Sequence, residues 1–117
     1  MRTQWYEAVR RFFDHYDYFI LPTAQVFPFP MEQHWPRMIG ATTMQTYHEW
    51  MKGVCLVTLS GCPALAVPAG FSAAGLPMGL QIIAPVHQEM ACLQLGAAYE
   101  ATLPLWRTRP PPVLGST

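Results

Sequence analysis

An α/β fold is predicted from three features of the chain. Trp5, Ala8, Val9, Phe12, Phe13 and Tyr16 recur at i, i+3, i+4, i+7, i+8 and i+11, the spacing of one apolar helix face. Two short segments, Ala64–Val67 and Met78–Ala84, are apolar at nearly every position, as strands covered on both faces are. Two further stretches of helical character, Tyr47–Gly61 and Glu89–Thr102, flank those strands.

The first helix carries Glu7, Arg10, Arg11 and Asp14 opposite its apolar side, with Thr3 as its N-cap and Asp17 at its end. Tyr18–Leu21 then reads as a short buried strand stopped by Pro22. From Pro22 to Thr43 the periodicity vanishes, and Pro22, Pro28, Pro30 and Pro36 alternate with Phe27, Phe29 and Trp35. A loop this long inside a domain is normally functional or disordered, and its aromatic residues argue that it packs on something.

Tyr47–Gly61 follows as a helix, with Gly61 supplying the left-handed terminus and Pro63 preventing continuation. Ser72–Gly75 has the residue preferences of a type I turn and joins Ala64–Val67 to Met78–Ala84 as neighbouring strands. In Glu89–Thr102, Met90, Leu93 and Ala97 lie on one face, and Cys92, Leu95, Gly96 and Tyr99 on another, where small residues permit close backbone approach. Pro104 ends that helix. Residues 1–106 are read as one body and 107–117 as a proline-rich tail.

Hydrophobic residues make up 51% of the 117-residue chain and charged residues 12%, about half the usual charged share of ~25%. Gly53 to Val86 contains no Asp, Glu, Lys or Arg. Proline and glycine interrupt that run too often for a bilayer span, which needs about 20 apolar residues. The formal charge is zero with no basic cluster, which argues against nucleic acid. No export signal stands in MRTQWYEAVRRFF, and Cys55, Cys62 and Cys92 read as free thiols in a reducing compartment, the cytoplasm. Three helices cannot cover both faces of the two chargeless strands. The apolar run is therefore expected to be buried within something larger.

The same residues also carry a resemblance. YDYFILPTAQVFPFP (Tyr16–Pro30), LSGCPALAVPAGFSAAGLPMGLQIIAP (Leu59–Pro85) and AAYEA (Ala97–Ala101) resemble the C-terminal portion of amidase signature enzymes, from Trp5 to about Trp106. The resemblance implies a mixed, twisted β-sheet flanked by helices, and hydrolysis of small carboxamides, or ammonia transfer from them, without metal or cofactor. It also implies a Ser-Ser-Lys triad lying in the N-terminal half of the family's chain, which nothing here matches. Lys52 is the one lysine, and the serines are Ser60, Ser72 and Ser116. No catalytic residue is assigned. Members acting on glutamine carry an acidic residue in the helix before the Gly-x-Pro segment; around that position this chain has Trp50 and Met51, with Glu49 out of register. The resemblance thus implies a more apolar substrate.

Four residues are candidates for lining a substrate cleft: Thr23, Phe27, Trp35 and Trp50. Each has a plainer reading. Thr23 suits a turn-stabilising hydroxyl, Phe27, Phe29 and Trp35 suit loop packing, and Trp50 suits helix core. Gln81 reads as a satisfied structural amide in a buried strand. Cys62 is read as a buried thiol with no histidine partner, and His15, His34, His48 and His87 show no ligand spacing. Two functions are carried forward. The first is a C-terminal amidase segment, inactive alone and partnered by an N-terminal amidase half. The second is a free-standing, non-catalytic protein that self-associates through exposed strand edges.

Overall fold

In the computed structural model, which describes residues 1–111, the elements run α1 (Arg2–Phe12), β1 (Phe19–Pro22), β2 (Met38–Ile39), β3 (Thr42–Thr43), α2 (Lys52–Ser60), β4 (Ala64–Phe71), β5 (Pro77–Ile83), α3 (Glu89–Thr102) and α4 (Leu105–Thr108). β5 is the centre of a three-stranded sheet ordered β1–β5–β4, and both pairings are antiparallel. Its even residues and its odd residues point to opposite faces. On one face Ile82 and Ala84 pack with Cys92 of α3, and Tyr18, Leu65, Val67, Ala91 and Leu95 close around them. On the other lie Gln81 and Ile83, with Leu21 of β1 reaching Gly53 of α2. The helices α1 and α2 are joined by Trp5 Nε1, which donates to the Leu56 carbonyl at 2.9 Å.

The tight hairpin from β4 to β5 is built as the sequence suggests. Gly75 N donates to the Ser72 carbonyl at 2.9 Å, Ser72 N to Leu76 O at 2.8 Å, and Ser72 Oγ accepts from Leu76 N at 3.1 Å. Gly75 has φ +81°, which a side chain would strain. Gln81 is indeed a satisfied amide: its Nε2 donates to the Pro22 carbonyl at 3.0 Å, tying β5 to the end of β1.

Several expectations need correction. The helix expected over Tyr47–Gly61 begins only at Lys52. The reason is competition for backbone carbonyls. Gln25 Nε2 donates to the carbonyls of both Glu49 and Trp50, and Glu49 Oε2 accepts from Gln45 N at 2.6 Å, so this segment is held as turns. The first helix starts at Arg2 and stops at Phe12, with no side-chain cap from Thr3; turns bonded to Arg11 and Phe12 carry the chain onward. The strand placed at Tyr18–Leu21 is shifted one residue, to Phe19–Pro22. The loop after it holds a small ladder, β2–β3, turning at Gly40. β4 runs past Val67 to Phe71 through a bulge at Pro68–Gly70, where a missing N–H is tolerated. The first residues assigned to the tail end α4, and the Arg109 guanidinium lies 4.0 Å over the Phe71 ring; the rest of the tail, 112–117, lies outside the described residues.

The strands expected to be covered on both faces are not. Along β4, Leu65 and Val67 are half-buried beneath α3, whereas Ala64 and Ala66 are exposed. Among the described residues, the buried apolar ones are Val57, Ile82, Ile83, Ala84 and Cys92. The accessible surface is 8576 Å², against about 6,400 Å² for a compact monomer of this mass. The radius of gyration of 16.4 Å likewise exceeds the ~13 Å usual for this length. This body has more surface than its core can justify.

Candidate functional site

At the Gly79 end of the sheet, the chain leaves β1 and folds back over the strands. Thr23 fixes that departure: its N and its Oγ both donate to the Gly79 carbonyl, at 2.9 and 3.1 Å. A Cβ on Gly79 would sit 3.0 Å from the Thr23 side chain and 3.1 Å from the Val67 carbonyl, so a larger residue there would push on the crossing. Beyond it, Ala24, Val26, Phe27, Pro28 and Phe29 form one wall of a cavity of ≈660 Å³. Trp50 forms the back, and Ala66–Pro68, Gly70 and Phe71 of β4 with Pro77–Gly79 of β5 form the floor.

The wall is held by aromatic and amide contacts. The Trp50 ring meets Phe29 edge-to-face at 5.7 Å and Tyr47 at 6.1 Å. Gln25, bonded to the carbonyls of Glu49 and Trp50, fastens the loop to the turn that presents Trp50. The indole Nε1 of Trp50 is buried without a hydrogen-bond partner among the described residues. No Asp, Glu, Lys, Arg or His lines the cavity. Such a surface suits a neutral apolar group and disfavours a charged one, whose desolvation nothing here offsets.

Of the four candidate lining residues, the structure brings Thr23, Phe27 and Trp50 to this one cavity. Trp35 stands elsewhere, with the Arg37 guanidinium 4.0 Å over its ring. The hydroxyl of Thr23 does not stabilise a local turn, as its plainer reading had it, but bonds across to Gly79 of β5. Gln25, Phe71 and Met78 escape notice in the sequence. Phe71 could be placed by extending the hairpin register, since it faces Pro77 across β4 and β5.

The polar groups of the chain do not assemble a reaction centre among the described residues. Buried Ser60 spends its hydroxyl on the Val57 carbonyl, at 2.6 Å, and accepts from Cys62 N at 3.2 Å. Cys62 borders a smaller cavity of ≈270 Å³ beside Tyr6, Arg10 and Asp14, without a histidine. Among the described residues, no group of three or more His, Cys, Asp or Glu converges in the manner of a metal site, and no helix is long and apolar enough to cross a membrane. The cavity lining itself pairs no nucleophile with a base.

An Amidase family model matches residues 1–93. The chain belongs to the amidase family. A bacterial aryl acylamidase of the amidase signature enzymes superposes on this amidase segment with a TM-score of 0.79 and 27% identity, over 88% of this chain and 21% of that one. A glutamyl-tRNA(Gln) amidotransferase subunit from Streptococcus equi subsp. zooepidemicus (strain H70) is 34% identical over 94% of this chain and 21% of its own length. The corresponding protein of Roseiflexus sp. (strain RS-1) is 37% identical over 85% and 19%. The amidase segment thus spans about a fifth of the length of these relatives. Its fold is the α/β amidase signature fold.

Proposed function

We propose that this chain supplies the C-terminal wall of an amidase domain that hydrolyses small neutral carboxamides. Residues 1–106 form that part, Thr23, Phe27 and Trp50 line the substrate side, and the nucleophile and its base come from an N-terminal amidase portion. The observation that carries the reading is the ≈660 Å³ uncharged cavity of a family member in which no serine-base pair forms among the described residues. The apolar lining favours an aryl or alkyl amide over glutamine, in keeping with the aryl acylamidase likeness. Three unpaired thiols, Cys55, Cys62 and Cys92, suit action in the cytoplasm.

Co-expression tests this directly. The chain is produced together with the Streptococcus equi relative from which the matched C-terminal segment has been removed. Hydrolysis of an anilide is then followed beside hydrolysis of glutamine. Restored anilide cleavage, exceeding glutamine cleavage, is expected; a co-purified pair that cleaves neither contradicts the proposal. A second reading, a non-catalytic self-associating protein, draws on the exposed apolar residues Phe19, Ile20, Leu59 and Leu93. Under it the chain alone forms a discrete oligomer and gains no activity from the partner.

A further inference from the structure

The cavity has no charged residue in its lining, yet one charge stands behind its floor. The Arg109 guanidinium lies 4.0 Å from the centre of the Phe71 ring. Phe71 ends β4 opposite Pro77 and borders the cavity, whereas Arg109 does not border it. The ring therefore stands between the cation and the space a substrate would enter.

The short helix α4 brings Arg109 to this place. Its N donates to the Leu105 carbonyl at 2.9 Å and closes the last turn. Its Nη2 lies 3.1 Å from the point a Gly75 Cβ would occupy, so the glycine of the hairpin makes room for it. Among the described residues the ion pairs are those of Arg10 with Glu7 and Asp14, and no carboxylate pairs with Arg109. The Phe71 ring is the group on which its charge acts.

An aromatic ring has a negative face and a positive edge, and a cation over one face is attracted to it. The same cation draws the ring's electrons toward itself. It leaves the part of the ring turned to the cavity, face or edge, less negative. An aryl group set against that part is held better the richer it is in electrons. An aliphatic floor would draw no such distinction.

We propose that Arg109 is a positioning residue that acts through Phe71 and makes the cavity select amides bearing an electron-rich aryl group; this rests on the substrate role of the cavity proposed above. Two neutral ketones that cannot be hydrolysed, para-methoxyacetophenone and para-nitroacetophenone, test it. Each is titrated by NMR into the 117-residue chain, alone and in complex with the shortened Streptococcus equi relative, and the ratio of their Kd values is compared between variants. Arg109→Gln, which keeps a planar polar group without the charge, should shift that ratio against the methoxy ketone by about twofold or more. Arg109→Lys, which keeps a cation there, should retain most of the wild-type ratio. Arg107→Gln removes the same charge from its place 4.6 Å over Trp106 and should leave the ratio as it is. With Phe71→Leu already present, Arg109→Gln should have no further effect on it.

Equal weakening of both ketones in Arg109→Gln would reduce Arg109 to a structural part and overturn the inference, while anilide cleavage by the complex leaves the proposed function standing. Failure of both ketones to bind the chain and the complex also overturns it. A complex that cleaves no anilide, with the ratio still shifting as stated, overturns the proposed hydrolysis alone.

Discussion

Gly96 of α3 lies so close to Leu65 of β4 that a Cβ on the glycine would overlap the leucine Cδ2. The Leu65 side chain fills the space that any residue larger than glycine would need on that face of the helix. Glycine in a helix interior costs about 1 kcal/mol relative to alanine, so Gly96→Ala should stabilise α3 taken alone. In this packing the added methyl must displace Leu65, and overpacking costs about 1–3 kcal/mol. The expected result is a net loss of up to about 2 kcal/mol in urea unfolding. In a Leu65→Ala background the Gly96→Ala substitution should cost less than in the wild-type chain, a coupling that two independent sites would not show.

Gln25 acts on Trp50 through the backbone. Its amide occupies carbonyls that would otherwise continue α2 toward Tyr47, and it thereby sets the back wall of the cavity. Gln25→Ala should cost about 1 kcal/mol, the net worth of such bonds, and should lengthen α2 at its start. The indole N–H resonance of Trp50 is expected to move, while those of Trp35 and Trp106 stay in place. Unmoved Trp50 signals in that variant would show that the clamp has no hold on the wall.

The thiol of Cys92 is pushed above the ordinary thiol range by burial, with the Ala84 backbone bond pulling the other way and the Glu89 charge adding a little. At pH 8 it should be alkylated by iodoacetamide at least tenfold more slowly than half-buried Cys55 and Cys62. The linkage has a definite sign. A thiol kept protonated in the fold, with its folded value above the unfolded one, contributes stability that is whole below the unfolded value and is lost as pH rises toward the folded one. Thermal stability should fall above about pH 8.5, near the free thiol's ordinary value, and Cys92→Ala should remove the part due to this group. Equal reactivity of all three cysteines would contradict the buried placement.

What is legible in the sequence depends on how local the cause is. The apolar stripe of α1, the Ser72–Gly75 turn, the Gly61 terminus and the small face of α3 are settled by neighbouring residues, and each has its counterpart in the fold. The start of α2 is not readable, because the group that blocks it, Gln25, is more than twenty residues away. Phe71 and Met78 join the cavity floor through the hairpin register, but the loop that closes the cavity over them comes from more than forty residues earlier. Trp35 shares its loop with Phe27, which suggests a common wall, but Arg37 draws its ring away. The uncovered faces follow from comparing strands with helices. Ala64 and Ala66 show where the cover is absent.

This chain is taken to contribute a binding wall while the reacting groups lie elsewhere in the domain. The most direct test is the anilide hydrolysis rate of the purified 117-residue chain, followed to completion with no partner added. The predicted rate equals that of buffer at every pH tried. Turnover that co-elutes with the isolated chain and disappears on substituting one of its own serines would contradict the account.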